Sequence, residues 1–375
     1  MPKKILAILF AALLMLAQSA FAVEVSAPSA ILVEQTSGKV LFEKNPHERL
    51  APASVTKIMT MLLIMEAIER GDITYDTIVV ASERAKSMGG STIFLDTGEE
   101  MSVHDLLKGI AVASGNDACV AMAEHLSGSV ESFVDVMNNR AAELGMADTH
   151  FVTCNGLDAD GHLTSAADIA VMSRELLKHE DIFRYTTIWL DSLRDGAFAL
   201  ANTNKLIRFY SGANGIKTGS TSIAKNCVSA SAKRDGMQLI AVIMGAETSK
   251  QRFADASALL NYGFANYAVV GLSEAGESAR EVKVKKGLKD SVLALAKENA
   301  AVLVEKAQKS SVKTEIVLPD SVEAPIAEGE KLGEIIIVSG ENELSRSDLV
   351  AAEAVPRKGI WSTLGEMMEN FMTMK

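Results

Sequence analysis

Cysteine is scarce in this chain, basic charge is outweighed by acidic charge, and no hydrophobic run is long enough to cross a bilayer. Only Cys119, Cys154 and Cys227 occur in 375 residues. They show no ligand-like pair spacing, which argues against a zinc site, and an odd number leaves at least one thiol unpaired in an exported chain. They read as buried, unreactive residues. The 37 Lys and Arg against 48 Asp and Glu give a net charge of −11, which offers no footprint for nucleic acid. There is no internal repeat and no low-complexity segment. What is present is ordinary globular composition, 48% hydrophobic and 23% charged, in a chain long enough for one large domain plus a smaller one.

The two ends carry the most biased stretches. The opening MPKKILAILFAALLMLAQSAFA has a basic start at Lys3 and Lys4 and an apolar run from Ile5 to Ala17. That run is short of the roughly 20 residues a spanning helix needs. It closes on Ala20-Phe21-Ala22, a small-x-small cleavage site, so residues 1–22 read as a secretory signal rather than an anchor. The mature chain is expected to begin near Val23, outside the cytoplasm. At the other end, IWSTLGEMMENFMTMK places Ile360, Trp361, Leu364, Met367, Met368 and Phe371 on one helical stripe, with Glu366, Glu369 and Asn370 opposite. This segment is too short and too acidic to span. It reads either as a terminal helix docked on its own protein or as an in-plane membrane anchor.

Between the ends, SAILVEQTSGKVLFEKN (29–45) reads as a hairpin around Thr36–Lys39. A mainly helical block follows from Ser54 to about Lys178. Residues 214–246 are strand-rich, with Arg234-Asp235-Gly236 as a hairpin turn, and a helix is expected from about Lys250 to Ala265. Strands bracketing a helical block predict an antiparallel sheet carrying helices. Near 271 the texture changes to short β-branched runs (VKVKK, TEIVLP, EIIIV), which predicts a separate β-rich domain over 271–356 after a first domain over 23–270. Within it, 291–307 also fits a helix.

In APASVTKIMT (51–60), Lys57 stands three places after Ser54 where an apolar helix begins, its stripe being Ile58, Met61, Leu62, Met65 and Ile68. The plain reading is a capping serine and a first-turn lysine reaching water, although a cation there faces the positive end of the helix dipole. The chemical reading is a nucleophile and its base. Spacing of three puts both side chains on one helix face, and burial favours a neutral amine able to take the serine proton. Ser-x-x-Lys also occurs at Ser222/Lys225 and Ser310/Lys313, where no helix is expected to start. Two further motifs follow in order. Ser114-Gly115-Asn116 interrupts a helical pattern, and Lys217-Thr218-Gly219 lies on a predicted strand. Singly each has a dull alternative, a polar helix break or an edge-strand lysine.

Together, in this order, Ser-x-x-Lys, Ser-x-Asn and Lys-Thr-Gly resemble the signature of penicillin-binding proteins and serine β-lactamases. The segments 149–176 and 252–264, the β-rich second domain and the amphipathic tail extend the resemblance to the low-molecular-mass D-alanyl-D-alanine carboxypeptidases, over nearly the whole mature chain. The resemblance implies an α+β transpeptidase-type catalytic domain, the β-rich domain, and residues 357–375 as an amphipathic membrane-anchoring helix. It implies Ser54 as nucleophile, Lys57 as base and Ser114 as a proton relay to the leaving amine. It also implies that Asn116 binds the substrate amide and that Lys217, Thr218 and Arg252 attract the terminal carboxylate. Gly219 would let the substrate backbone approach, and the backbone N–H groups of Ser54 and Ser220 would form the oxyanion hole. Several relatives have histidine where this chain has Ser220. The implied partners are stem peptides ending in D-Ala-D-Ala, β-lactams, and the periplasmic face of the bacterial inner membrane, with no cofactor and no metal. The rival readings are a β-lactamase, a DD-endopeptidase and an inactive muropeptide-binding protein. Against the first, Glu124, Glu131, Glu143, Glu175 and Glu180 all lack the Glu-x-x-Leu-Asn context of class A enzymes. Against the last, every motif residue is intact.

Overall fold

The computed structural model describes residues 23–273, 276–298, 300–340 and 342–359. The expected signal over 1–22 and the amphipathic stripe over 360–375 therefore lie outside the described residues. The chain divides into two compact units between Phe264 and Ala265, ahead of the expected boundary near 271. Among the described residues no helix is long and apolar enough to cross a membrane.

The first unit is built on a five-stranded antiparallel sheet. Its order across the sheet is Val40–Lys44, Ser29–Glu34, Met237–Ala246, Lys225–Arg234 and Ala213–Thr221. The hairpin expected over 29–45 is present, with Ile31 opposite Glu43. So is the turn at Asp235-Gly236, where Asp235 has φ 48° and Gly236 φ 77°, the positive-φ pair that a tight two-residue hairpin requires. Side chains alternate between the faces of a strand. Ile31, Val33, Ile240, Val242 and Met244 join the main core with the helices Lys57–Glu69 and Ala166–Leu176. Residues of the other parity, Leu32 and Leu239, meet Gly263 of the helix Ser249–Asn266. The sheet is thus covered on both faces, and nearly every residue of the strand Met237–Ala246 is buried.

The Lys57–Glu69 helix departs from the amphipathic stripe expected of it. Met59, Leu63 and Ile64 are buried along with Ile58, Met61, Leu62 and Met65, and only its C-terminal end, from Glu66 with Ile68, approaches solvent. A helix apolar on all sides belongs inside a protein. Its N-terminus, including Lys57, is consequently sealed from water. The Ser-Gly-Asn interruption has a geometric cause: the helix Val103–Lys108 continues into a π-helical turn over Gly109–Ala113, then Ser114 turns left-handed at φ 64° before the helix Asn116–Ser127 starts.

The second unit is β-rich. It holds a six-stranded sheet, antiparallel except where Ser278–Lys285 pairs with Ser321–Glu323, and a two-stranded ladder of Tyr267–Ser273 with Ala300–Glu305. Within 291–307, Ser291–Ala296 and Ala300–Glu305 are strands rather than helix. The reason is visible in Val292, Ala294 and Ala296, which are buried at alternate positions, the period of a strand.

Candidate active site

Ser54 lies in a short 3-10 turn, Ala53–Thr56, that leads into the Lys57 helix. The residue before it, Ala53, is held at φ 49°. A left-handed non-glycine residue is a strained position, and such strain clusters at functional sites. Lys57 is fully buried. Its Nζ lies 2.9 Å from Ser54 Oγ, 2.6 Å from Asn116 Oδ1 and 2.6 Å from the Asn155 carbonyl. The orientation of the Asn116 amide is anchored, because its Nδ2 donates to the Gly89 carbonyl at 2.7 Å. Asn116 Oδ1 and Asn155 O can only accept. A neutral amine has two N–H groups for these two acceptors and one lone pair left for the Ser54 hydroxyl. Burial pushes the Lys57 amine below its ordinary value, in the direction this arrangement requires.

Ser114 is buried, and its hydroxyl has no hydrogen-bond partner among the described residues. Its left-handed backbone sets it at the start of the helix that carries Asn116. Asp117 fixes the opposite wall by accepting the backbone N–H groups of Ile93 and Leu95.

Lys217, Thr218 and Gly219 lie on Ala213–Thr221, an edge strand of the sheet among the described residues, with Lys217 opposite Ser229 and Gly219 opposite Cys227. Lys217 is 1% exposed and donates to the Thr218 carbonyl at 3.1 Å. Burial, and next the charge of Lys57, push its amine well below the ordinary value. Each positive charge buried here raises the cost of the other, so the pair favours a neutral form for at least one of the two amines. Ser220 is exposed at the strand end.

Two of the expected site residues also make contacts within the protein. The missing side chain of Gly219 accommodates the protein itself: a Cβ there would lie 2.7 Å from the Pro52 carbonyl and 2.9 Å from Ser54 N. The strand and the Ser54 turn therefore touch at Gly219, which brings Ser54 and Ser220 into neighbouring places. Arg252 donates through Nη1 to the Gly219 carbonyl at 2.8 Å and the Cys227 carbonyl at 3.2 Å. It braces the Lys-Thr-Gly strand from behind.

The geometry also enlists residues that no motif singled out. Asn155 supplies the carbonyl on Lys57, and Gly156, at φ 83°, lies so close that a Cβ would fall 1.9 Å from the Ala53 carbonyl. Thr203 Oγ1 accepts from the Thr218 hydroxyl at 2.7 Å. The only signal for Asn155-Gly156 was its place in the segment 149–176; Thr203 had none. The other Ser-x-x-Lys pairs are elsewhere: Lys225 pairs with Glu247 on the surface, and Ser310 sits in an exposed 3-10 turn of the second unit. Cys119, Cys154 and Cys227 are all buried, and burial raises each thiol, Cys119 and Cys227 to about 11. Among the described residues no group of His, Cys, Asp or Glu is arranged to hold a metal.

Comparison with known proteins identifies the family. The family model described as D-alanyl-D-alanine carboxypeptidase matches residues 16–248, and that described as penicillin-binding protein 5, C-terminal domain, matches 267–357. The chain is 46% identical over 353 residues to the D-alanyl-D-alanine carboxypeptidase DacF of Bacillus subtilis, spanning 93% of this chain and 91% of that one. Penicillin-binding protein 5 of Haemophilus influenzae superposes with a TM-score of 0.72 at 32% identity, over 89% of this chain and 98% of that one. Penicillin-binding protein D2 of Listeria monocytogenes, solved in an ampicillin-bound form, superposes with a TM-score of 0.59 at 30% identity, over 64% of this chain and 98% of that one. With three sequence motifs meeting around one buried lysine and a β-rich unit following, the chain belongs to the serine-type D-alanyl-D-alanine carboxypeptidase family of penicillin-binding proteins.

Proposed function

We propose that this chain removes the terminal D-alanine from peptidoglycan stem peptides ending in D-Ala-D-Ala, through an acyl-enzyme on Ser54. The observation that carries the reading is the set of partners around Lys57 Nζ, two obligate acceptors and one hydroxyl. Lys57 takes the Ser54 proton as Oγ attacks the carbonyl carbon between the two D-alanines. The oxyanion is met by the backbone N–H groups of Ser54 and Ser220, a device that supplies a large share of catalysis in acyl transfer. Ser114 passes the proton to the leaving amine, and D-alanine departs. Asn116 holds the substrate amide, while Lys217 and Thr218 hold the terminal carboxylate. Arg252 supports them by fixing the carbonyl of Gly219. Water then hydrolyses the Ser54 ester.

The same hydroxyl opens β-lactams, a reading supported by the ampicillin-bound form of the Listeria relative. Residues 1–22 direct export, and 357–375 hold the enzyme peripherally on the periplasmic face of the inner membrane; the sequence patterns at both ends support this. The test is direct. Mature protein incubated with a pentapeptide ending in D-Ala-D-Ala should release D-alanine and take up fluorescent penicillin, and Ser54→Ala should abolish both. Ser222→Ala and Ser310→Ala should leave both intact. Labelling that survives Ser54→Ala refutes the assignment.

A further inference from the structure

We propose that His162 is a positioning residue for acylation, tying the turn that carries Ser54 to the segment that carries the Asn155 carbonyl. The proposal rests on Ser54 being the nucleophile. His162 is 3% exposed and makes no hydrogen bond to Ser54 or Lys57, yet it lies between the two arms that meet at Lys57. Its Nδ1 accepts the Val152 N–H at 2.9 Å and, at the limit of reach, the Thr153 N–H at 3.4 Å. An acceptor at Nδ1 leaves the ring proton on Nε2, which donates to Thr56 Oγ1 at 2.8 Å. The Thr56 hydroxyl then has its own hydrogen free for the Ala53 carbonyl, 2.9 Å away.

The result is one directed chain, from Val152 N–H through the imidazole and the Thr56 hydroxyl to the Ala53 carbonyl. Only the neutral Nε2–H tautomer completes it, because an imidazolium would set a second N–H against that of Val152. Burial, the largest influence on the ring, pushes the imidazole down to about 4, with His150 acting in the same direction and Asp158 against it. The two ends of the chain are what the site depends on. Ala53 is the left-handed residue directly before Ser54, and its carbonyl is gripped by Thr56 and walled in by Gly156. Val152 and Thr153 lead into Asn155, whose carbonyl fixes Lys57. Ser54 Oγ and Lys57 Nζ therefore hold their 2.9 Å separation with one ring setting both supports.

The test uses the mature chain with His162→Leu, His162→Gln, Thr56→Val and their combinations. Leucine fills the space without the bonds, glutamine offers one donor and one acceptor, and valine keeps the threonine shape without the hydroxyl. Each variant is measured for its acylation rate with fluorescent penicillin, for kcat and KM on the pentapeptide, and for its thermal midpoint at neutral pH. His162→Leu should lower acylation and kcat by roughly tenfold to a hundredfold, the scale on which a small misplacement of reacting groups acts, with KM little changed. His162→Gln should recover most of the rate, and adding Thr56→Val to His162→Leu should cost little more. A folded His162→Leu enzyme that acylates within about twofold of wild type overturns the proposal, on the same small-misplacement scale. So does a glutamine variant that loses rate and thermal midpoint in proportion, since the ring would then be core filling. Should the leucine variant fail to fold, additive effects of His162→Gln and Thr56→Val would overturn it. Penicillin labelling that survives Ser54→Ala overturns the site reading itself, and is separate from all of these.

Discussion

Lys57 and Lys217 are equally hidden from water, yet their neighbours assign them different chemistry. Lys57 faces two acceptors and a hydroxyl, which suits an amine that must accept a proton. Arginine at that position keeps the charge but cannot give up its proton in practice, so Lys57→Arg should reduce acylation by more than about a hundredfold, as removal of a general base does. Lys217→Arg keeps a cation for the carboxylate in altered geometry. Its loss should appear mainly in KM for the pentapeptide, and equal mild losses in both variants would contradict the division of roles. At the same scale, His162 makes stability depend on acid. Its folded value is about 4 and its ordinary value 6.5. Below about 6.5 the unfolded chain binds a proton that the folded ring refuses, so the contribution present at neutral pH is lost as pH falls toward 4 and changes no further below it. A shift of that size is worth on the order of 3 kcal/mol. Denaturant titrations across this window should show the loss in wild type and a shallower slope in His162→Gln; parallel slopes would mean the ring titrates normally.

Among the elements, the contact between the Ser54 turn and the Lys-Thr-Gly strand is the most sensitive to a single atom. Alanine at Gly219 would drive its Cβ against the Pro52 carbonyl and Ser54 N. Both are backbone, so the turn and strand must separate and one expected oxyanion donor moves. Acylation of Gly219→Ala should fall by about a hundredfold or more, the usual cost of losing one such donor, and near-normal penicillin labelling would show that the contact is slack. The motif residues were legible in the sequence because each is an unusual residue type at a helix start, a helix break or on a strand. The sheet was legible too, since the hairpin turns and the long buried strand carry strong local patterns. Asn155, Gly156, Thr56, His162 and Thr203 were not read as parts of the site. They act through a carbonyl, a missing Cβ or a hydroxyl-to-ring bond, and each depends on chain segments brought together only by the fold. The contact of Gly219 with the Ser54 turn was not read for the same reason: an absent side chain does not announce which backbone needs the space. In the second unit, 291–307 left helix and strand open because its alanine- and leucine-rich stretch suits both, and pairing with neighbouring strands decides.

For the molecule as a whole, the attachment of the tail has to be tested at a cut the second unit tolerates. Val355 is fully buried and pairs with Ile326, while Lys358 N–H donates to the Lys286 carbonyl. A cut at 355 would strip part of this unit's own pairing, so the clean truncation follows Gly359. A chain ending there should be released from membranes and keep full carboxypeptidase activity. The longer chain should stay bound in high salt and leave in detergent, because burial of five or six large apolar side chains at roughly 1.5–3 kcal/mol each would dominate over charge. Release by salt alone would defeat the anchor. The sheet described above also bears on the order in which the molecule comes into being. Ser29 pairs with Met244, and Met237–Ala246 is the middle strand that joins the N-terminal hairpin to the two strands before it. During synthesis the first strands must wait, unpartnered on one side, until nearly the whole first unit has emerged. Such long-range closure is slow. The reactive centre therefore assembles only after Met237–Ala246 is available to join the N-terminal hairpin to the strand that carries Lys217.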